Sequence, residues 1–262
     1  MPLGPVAVVT GGSSGIGAAL ARELAARDWR CVLVARNEQR LQAVAEEIGG
    51  EYEVCDVADR EAVDRMAARV IARHPAVKLL VNNAGLSGRT PDDPRRRGFI
   101  DSDPEWIEEL VRINFLGAVW CLRAFMPALE AAAPSHVVNV ASVAGTVAVP
   151  PGLYSATKHA LVAFSRALAG YLPAQGIRVH TVNPGFVETP GFPQRGVLRS
   201  RLLEAAVIEP ERAARKIADA VERNRPEVYV PGWYRVPAVA QAIAPGLVSR
   251  LLARRARSNR VP

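Results

Sequence analysis

Short runs rich in Val, Leu and Ile recur along the chain, each followed by a longer segment whose apolar residues return every three to four positions. The runs Val6–Thr10, Cys31–Ala35, Tyr52–Cys55, Lys78–Asn82, Val137–Ala141, Arg178–Val182 and Val228–Val230 predict seven strands. Most are apolar nearly throughout rather than alternating, as expected of strands covered on both faces. Helical periodicity predicts helices near 16–27, 38–48, 60–73, 104–131, 154–172 and 210–223. The start of the longest is well marked: Ser102, Asp103 and Glu105 offer capping groups, and Pro104 suits a first turn. This alternation predicts an α/β fold, a single doubly wound domain with a seven-stranded parallel sheet and helices on both faces. Right-handed crossovers then put a binding crevice at the carboxyl ends of the strands, where chemistry should be sought.

Composition fits one globular domain. With 262 residues, 49% of them hydrophobic and 23% charged, the chain can bury a full core, which excludes a disordered or fibrous protein. No stretch approaches the ~18 uninterrupted apolar residues of a membrane span, and Met-Pro-Leu-Gly-Pro is not a secretory start, so a cytoplasmic protein is expected. The net charge of +7 is localised: residues 1–227 hold 27 Lys and Arg against 26 Asp and Glu, and the remainder holds six arginines and no acid. The body is thus nearly neutral, and nucleic-acid binding ranks last because no basic and aromatic platform accompanies the charge. Cys31, Cys55 and Cys121 each lie in an apolar run without metal-type spacing and read as buried, reduced thiols. His74, His136, His159 and His180 are scattered, and no metal site is expected.

Four strand ends carry candidate binding residues. After the first comes Thr10-Gly11-Gly12-Ser13-Ser14-Gly15-Ile16-Gly17, running directly into a helix. Gly11 permits a tight turn, Gly15 lets backbone approach a diphosphate, Gly17 lets the helix pack on the strand, and the helix N-terminus faces the anion. The second strand ends Val34-Ala35-Arg36-Asn37, where a dinucleotide site meets the adenosine ribose. An acid there would take the 2′-hydroxyl; instead Ala35 is neutral and Arg36 suits a 2′-phosphate. Asp56, followed by Val57 at the third strand end, faces the adenine amino group or caps a helix, although Asp59 is the better-placed cap. The fourth strand ends Asn82-Asn83-Ala84-Gly85, small residues that admit a ligand.

The fifth strand ends at Ser142, and twelve residues later comes Tyr154-Ser-Ala-Thr-Lys158. At i and i+4 on a helix, the phenol and ammonium share one face. The cation is expected to favour the phenolate and lower the Tyr154 pKa. With five Tyr and three Lys in the chain, such a pair arises by chance only about 0.06 times.

Across residues 5–231 these motifs resemble the short-chain dehydrogenase/reductase superfamily, in its branch of roughly 250 residues with TGxxxGxG and YxxxK, a Rossmann-type fold. TGGSSGIG, NNAG at 82–85, Ser142, Tyr154 and Lys158 fit that pattern, Asn114 resembles the fourth member of its catalytic tetrad, and Pro184-Gly185-Phe186-Val187-Glu188-Thr189 resembles its nicotinamide-side motif. The resemblance implies a nicotinamide dinucleotide cofactor, which Ala35 and Arg36 make NADP(H), and hydride transfer between a carbonyl and an alcohol. In it, Tyr154 exchanges the proton, Ser142 stabilises the substrate oxygen, Lys158 holds the nicotinamide ribose, and Asn114 supports a water relay. Segment 186–208 is expected to form a substrate lid, with Phe186, Phe192, Val197, Leu198, Leu202 and Leu203 favouring a small hydrophobic substrate.

Two other classes compete. A non-catalytic nucleotide-sensing or scaffolding protein would need the glycine loop but not Tyr154, and an epimerase or dehydratase would share the Tyr/Lys pair but belongs to a longer branch. The connection 86–103, with Asp92, Asp93 and Arg95-Arg96-Arg97, reads as a solvated loop. The domain is expected to span 1–231, with an extension over 232–262, and a homodimer is expected through the helices carrying Asn114 and Tyr154. Residues 246–257 form a basic amphipathic pattern, with Leu247, Val248, Leu251 and Leu252 on one side and Arg250, Arg254 and Arg257 on another. Two readings stay open: the leucines dock on protein, or the segment lies on an anionic membrane.

Overall fold

The computed structural model describes residues 4–87, 102–150, 152–192, 194 and 204–258. Seven strands form one parallel sheet: β1 Val6–Thr10, β2 Arg30–Ala35, β3 Glu51–Val54, β4 Leu79–Asn82, β5 Ser135–Val140, β6 Ile177–Pro184 and β7 Glu227–Val230. Their order is β3-β2-β1-β4-β5-β6-β7, every neighbouring pair parallel. The chain therefore winds outward from β1 to β3, returns, and winds the other way from β4. That reversal splays the connections after β1 and β4 apart and opens a crevice between them.

Helices cover both faces. On one lie α1 Gly15–Ala25 and α2 Glu38–Ile48; on the other lie α3 Arg60–Arg73 and the long segment of α4 Pro104–Val111 and α5 Gly117–Ala131, followed by α6 Leu153–Tyr171; α7 Pro210–Glu222 returns to the first face. Side chains alternate through the sheet. Ala7 and Val9 enter the core with Leu20, Leu24 and Ile217, whereas Val6 and Val8 enter the opposite one with Met66, Phe125 and Leu129. Pro104–Ala131 is long and apolar enough to cross a bilayer by length and composition, yet Leu110, Ile113, Cys121, Leu122 and Phe125 are buried within the fold. A polar ladder crosses the sheet interior: Asn82 Nδ2 donates to Asn139 Oδ1 at 2.9 Å, Asn139 Nδ2 to Ser165 Oγ at 3.1 Å, and Thr181 Oγ1 to the same Ser165 oxygen at 2.7 Å.

Three local features depart from the expected pattern. The helix expected over 104–131 is interrupted by a π-helical turn at Arg112–Leu116, which carries Asn114. The extension after residue 231, with no helix predicted before residue 246, contains the helix α8 Arg235–Ile243. Pro237 is tolerated because it sits in the first turn, whose N–H groups have no intrahelical acceptor. Finally α9, Pro245–Ser258, packs against α8, and Leu247 and Leu251 remain exposed rather than docked on the body of this chain. The charged loop residues Asp92, Asp93 and Arg95–Arg97 lie outside the described residues, as do Val197, Leu198, Leu202 and Leu203 of the expected lid.

Candidate active site

One hydroxyl ties the crevice together. Thr10 Oγ1, at the end of β1, donates to Val81 O at 3.1 Å and accepts from the N–H groups of Asn83 at 2.9 Å and Ala84 at 3.1 Å. Asn83 Nδ2 returns a bond to Thr10 O at 3.0 Å. The two strand ends that diverge at the switch point are thereby fixed against each other. Sequence reading passed over Thr10, whose contribution depends on contacts more than 70 residues away.

A cavity of about 340 Å³ opens over this junction. Gly11, Ser13, Ser14, Gly15 and Ile16 line its floor; Arg36, Asp56 and Val57 line one end; Asn83, Ala84 and Gly85 line the middle. Ser142, Tyr154, Lys158, Pro184, Gly185, Val187, Thr189 and Phe192 line the rest. Three expected site residues stand outside the lining. Gly17 lies beneath the loop, where a Cβ would run into the Gly11 carbonyl. Phe186 packs edge-on to Tyr234 with centroids 6.3 Å apart. Asn114 is buried behind the wall.

The floor is shaped for close approach. Gly11 and Gly15 have φ of +68° and +54°, which a side chain disfavours, and a Cβ on Gly15 would stand 3.0 Å from Thr189 Cγ2, across the cavity floor. Ser14 begins α1 in extended conformation without a side-chain cap, and no acid occupies the first turn. The leading N–H groups of α1 therefore present the positive end of the helix to the cavity. Asp59 caps α3, accepting from Ala62 N at 3.0 Å, while Asp56 Oδ1 accepts from Ala58 N at 3.0 Å. Arg36 Nη1 lies 3.5 Å from Asp56 Oδ2 and 3.4 Å from Glu109 Oε1.

At the other end, the first turns of α6 deliver Tyr154 and Lys158 side by side, the ammonium 5.9 Å from the phenol ring centroid. Lys158 is 4% exposed and makes one hydrogen bond among the described residues, donating to Val140 O at 3.1 Å. An ammonium has three donors, so two remain for a cavity occupant. Burial lowers its pKa to about 8. Tyr154 is pushed up to about 12 by burial, with a hydrogen bond from Ser142 pulling the other way. The expected lowering of the phenol is therefore reversed: desolvation of the phenolate outweighs the nearby cation. Ser142 Oγ also accepts from Ala144 N at 3.1 Å, and the Tyr154 ring meets Phe192 with centroids 5.6 Å apart.

Asn114 does mechanical work in the π turn. Its Oδ1 accepts from Leu86 N at 2.7 Å, and its Nδ2 donates to Leu86 O at 3.1 Å and to Thr157 Oγ1 at 3.1 Å. It thus clamps the segment after Gly85 to α6 between Tyr154 and Lys158. The three cysteines are free and buried, and burial raises their thiols. Among the described residues no three His, Cys, Asp or Glu side chains converge on a metal position.

The floor, the two unused Lys158 donors and a lining that runs from Arg36 to Phe192 fit a dinucleotide whose diphosphate would meet α1 and whose ribose would meet Lys158. Known proteins agree with this geometry. Residues 5–196 match the family described as short chain dehydrogenase. A putative ketoacyl reductase of the granaticin polyketide synthase from Streptomyces violaceoruber is 38% identical over 194 residues, covering 71% of this chain and 69% of that protein. An alcohol dehydrogenase from the archaeon Thermococcus sibiricus, complexed with 5-hydroxy-NADP, superposes with a TM-score of 0.74 at 27% identity over 86% of this chain and 95% of that one. A 3-ketoacyl-(acyl-carrier-protein) reductase from Brucella melitensis, complexed with NADH, superposes with a TM-score of 0.73 at 26% identity over 83% and 90%. With its glycine floor, its Ser142, Tyr154 and Lys158 wall and a family match over most of its length, the chain belongs to the short-chain dehydrogenase/reductase family of oxidoreductases.

Proposed function

We propose that the protein is an NADP(H)-dependent oxidoreductase that interconverts a carbonyl and an alcohol on a small hydrophobic substrate. The observation that carries this reading is the convergence of Ser142, Tyr154 and Lys158 on one wall of a cavity whose far end holds Arg36. The nicotinamide, when bound, supplies the hydride donor or acceptor. Tyr154 holds the proton that reaches the carbonyl oxygen during reduction and takes it back during oxidation. Its high pKa keeps it protonated at neutral pH, ready to donate. Ser142 donates a hydrogen bond to the same oxygen and stabilises the negative charge that builds there. Lys158 holds the ribose hydroxyls with its free donors and keeps positive charge beside the phenol. Asn114 is a positioning residue, fixing Leu86 and Thr157 so that both walls keep their spacing.

The NADP(H) preference rests on Arg36, a cation at the ribose end, and on Ala35, which lacks the carboxylate that holds a 2′-hydroxyl. Phe192 and Val187 at the nicotinamide end support an apolar substrate. A homodimer through α5 and α6 belongs to the same reading. Absorbance of NADPH and NADH, followed with a panel of apolar ketones, aldehydes, acyl thioesters and sugar carbonyls, tests it. Turnover of apolar carbonyls with NADPH is expected, and turnover confined to sugars or to NADH would overturn it.

A further inference from the structure

Ten large hydrophobic side chains are exposed among the described residues, and six of them fall within nineteen consecutive positions: Trp233, Val236, Val239, Ile243, Leu247 and Leu251. Scattered exposed apolar residues are ordinary, but a contiguous group marks a binding surface. On α8, Val236, Val239 and Ile243 follow three- and four-residue steps and so share one face; on α9, Leu247 and Leu251 do the same. Ile243 is 79% exposed and Val236 71%, while α8 buries only Ala238. The charge of this region is one-sided, since beyond Glu227 the sequence has six arginines and no acid.

We propose that α8 and α9 form a membrane-surface element that lies along an anionic lipid bilayer. Charge selects this occupant over a second copy of the chain. A symmetric pairing of the apolar faces would bring together two acid-free surfaces with nothing to neutralise the arginines that flank them, whereas an anionic surface neutralises that charge while it covers the apolar face. Each arginine brought to such a surface strengthens binding roughly fivefold. At 14 residues, α9 is about 21 Å long, too short to cross a ~30 Å hydrocarbon core and suited to lying in the interface. Trp233 belongs at that boundary, where an indole has both apolar and polar neighbours.

The element is rooted at the site. Trp233 stacks on Tyr234 with centroids 3.8 Å apart, and the Tyr234 ring packs on Gly185, a lining residue of the cavity, and on Phe186. A bilayer under α8 and α9 would therefore lie next to the nicotinamide end of the cavity and deliver apolar substrate there. The membrane element itself stands or falls independently of the proposed reaction.

The test is sedimentation of the full-length protein with vesicles of phosphatidylcholine containing about a third phosphatidylglycerol, against pure phosphatidylcholine vesicles. Expected is pelleting with the anionic vesicles alone, reversed in roughly 1 M salt, where the screening length is ~3 Å. The variant carrying Ile243→Glu, Leu247→Glu and Leu251→Glu alters only exposed positions and should lose pelleting at least tenfold while keeping its thermal midpoint and cofactor binding. Failure of the wild type to pellet with anionic vesicles at low salt overturns the proposal. So does a triple variant that pellets undiminished but drops in mass by light scattering, since that result assigns the face to contact between copies. Loss of cofactor turnover in Tyr154→Phe with vesicle binding intact leaves the element standing, so the two readings fail separately.

Discussion

Arg36 holds a guanidinium nitrogen 3.4 Å from Glu109 Oε1, so the cation at the ribose end of the cavity faces a carboxylate from a helix 73 residues away. Asp56 stands 3.5 Å from the same nitrogen. Under the proposed NADP(H) preference, a 2′-phosphate would compete with both carboxylates for this arginine, and the preference would be a balance among three anions.

That balance is measurable by calorimetric titration of NADPH and NADH. Arg36→Ala should weaken NADPH at least tenfold, about 1.4 kcal/mol, and leave NADH nearly unchanged, because only the phosphate loses a charged partner. Glu109→Gln should tighten NADPH by about two- to fivefold, the scale of an exposed ion pair. Equal affinities for the two cofactors in the wild type would remove Arg36 from the selection.

Replacing Tyr154 with Phe removes one hydroxyl and should lower turnover by ~10²–10⁴-fold with NADPH affinity preserved. The pH profile adds a second reading of the same wall. Lys158 titrates near 8, so kcat/KM for reduction should fall as pH rises through about 8 and the ammonium is lost. Lys158→Met should weaken both activity and cofactor binding and abolish that inflection. An unchanged inflection in the variant assigns the titration to another group.

The buried ladder across β4, β5 and β6 predicts a stability cost. Asn139 is fully buried and serves both Asn82 and Ser165. Asn139→Leu would strand the Asn82 amide without solvent, while Ser165 keeps its bond from Thr181, and one unpaired buried group costs ~1–3 kcal/mol. Urea denaturation should show a loss of about 1–3 kcal/mol, and a loss under 0.5 kcal/mol would mean that the ladder contributes little.

The strands were readable because a parallel sheet covered on both faces leaves uninterrupted apolar runs, and the glycine floor because its backbone angles demand glycine. The π turn was not readable, since Ile113-Asn114-Phe115 has the composition of an ordinary amphipathic helix and the Asn114 clamp on Leu86 spans 28 residues. Spacing put Tyr154 beside Lys158 but carries no dielectric information, and burial reverses the shift expected of the phenol. Glu109 reads in sequence as one more acid on a polar helix face. The helix α8 was not readable from its apolar pattern, and its Pro237 is accommodated by a first-turn position.

His136 and His180 form a chain of bonds between β5 and β6 that fixes where their protons lie. His180 Nδ1 stands 2.7 Å from Arg225 O, and a carbonyl only accepts, so that nitrogen carries the proton. In the neutral ring Nε2 is then an acceptor, and His136 Nδ1, 2.9 Å away, donates to it. Burial lowers His136 to about 4, with His180, Arg178 and Lys78 adding repulsion, and burial likewise lowers His180. Because the folded-state pKa lies below the ordinary histidine value of about 6.5, the stability gained is complete above that pH and is lost as pH falls through about 4. Solvent reaches the partly exposed His136 ring, so its share is on the order of 1 kcal/mol. His136→Leu should be less stable than wild type at neutral pH, with His180 Nε2 left unpaired, yet should lose less on acidification. Urea midpoints at pH near 7 and near 4.5 check this, and parallel losses in both proteins would show that acid acts elsewhere.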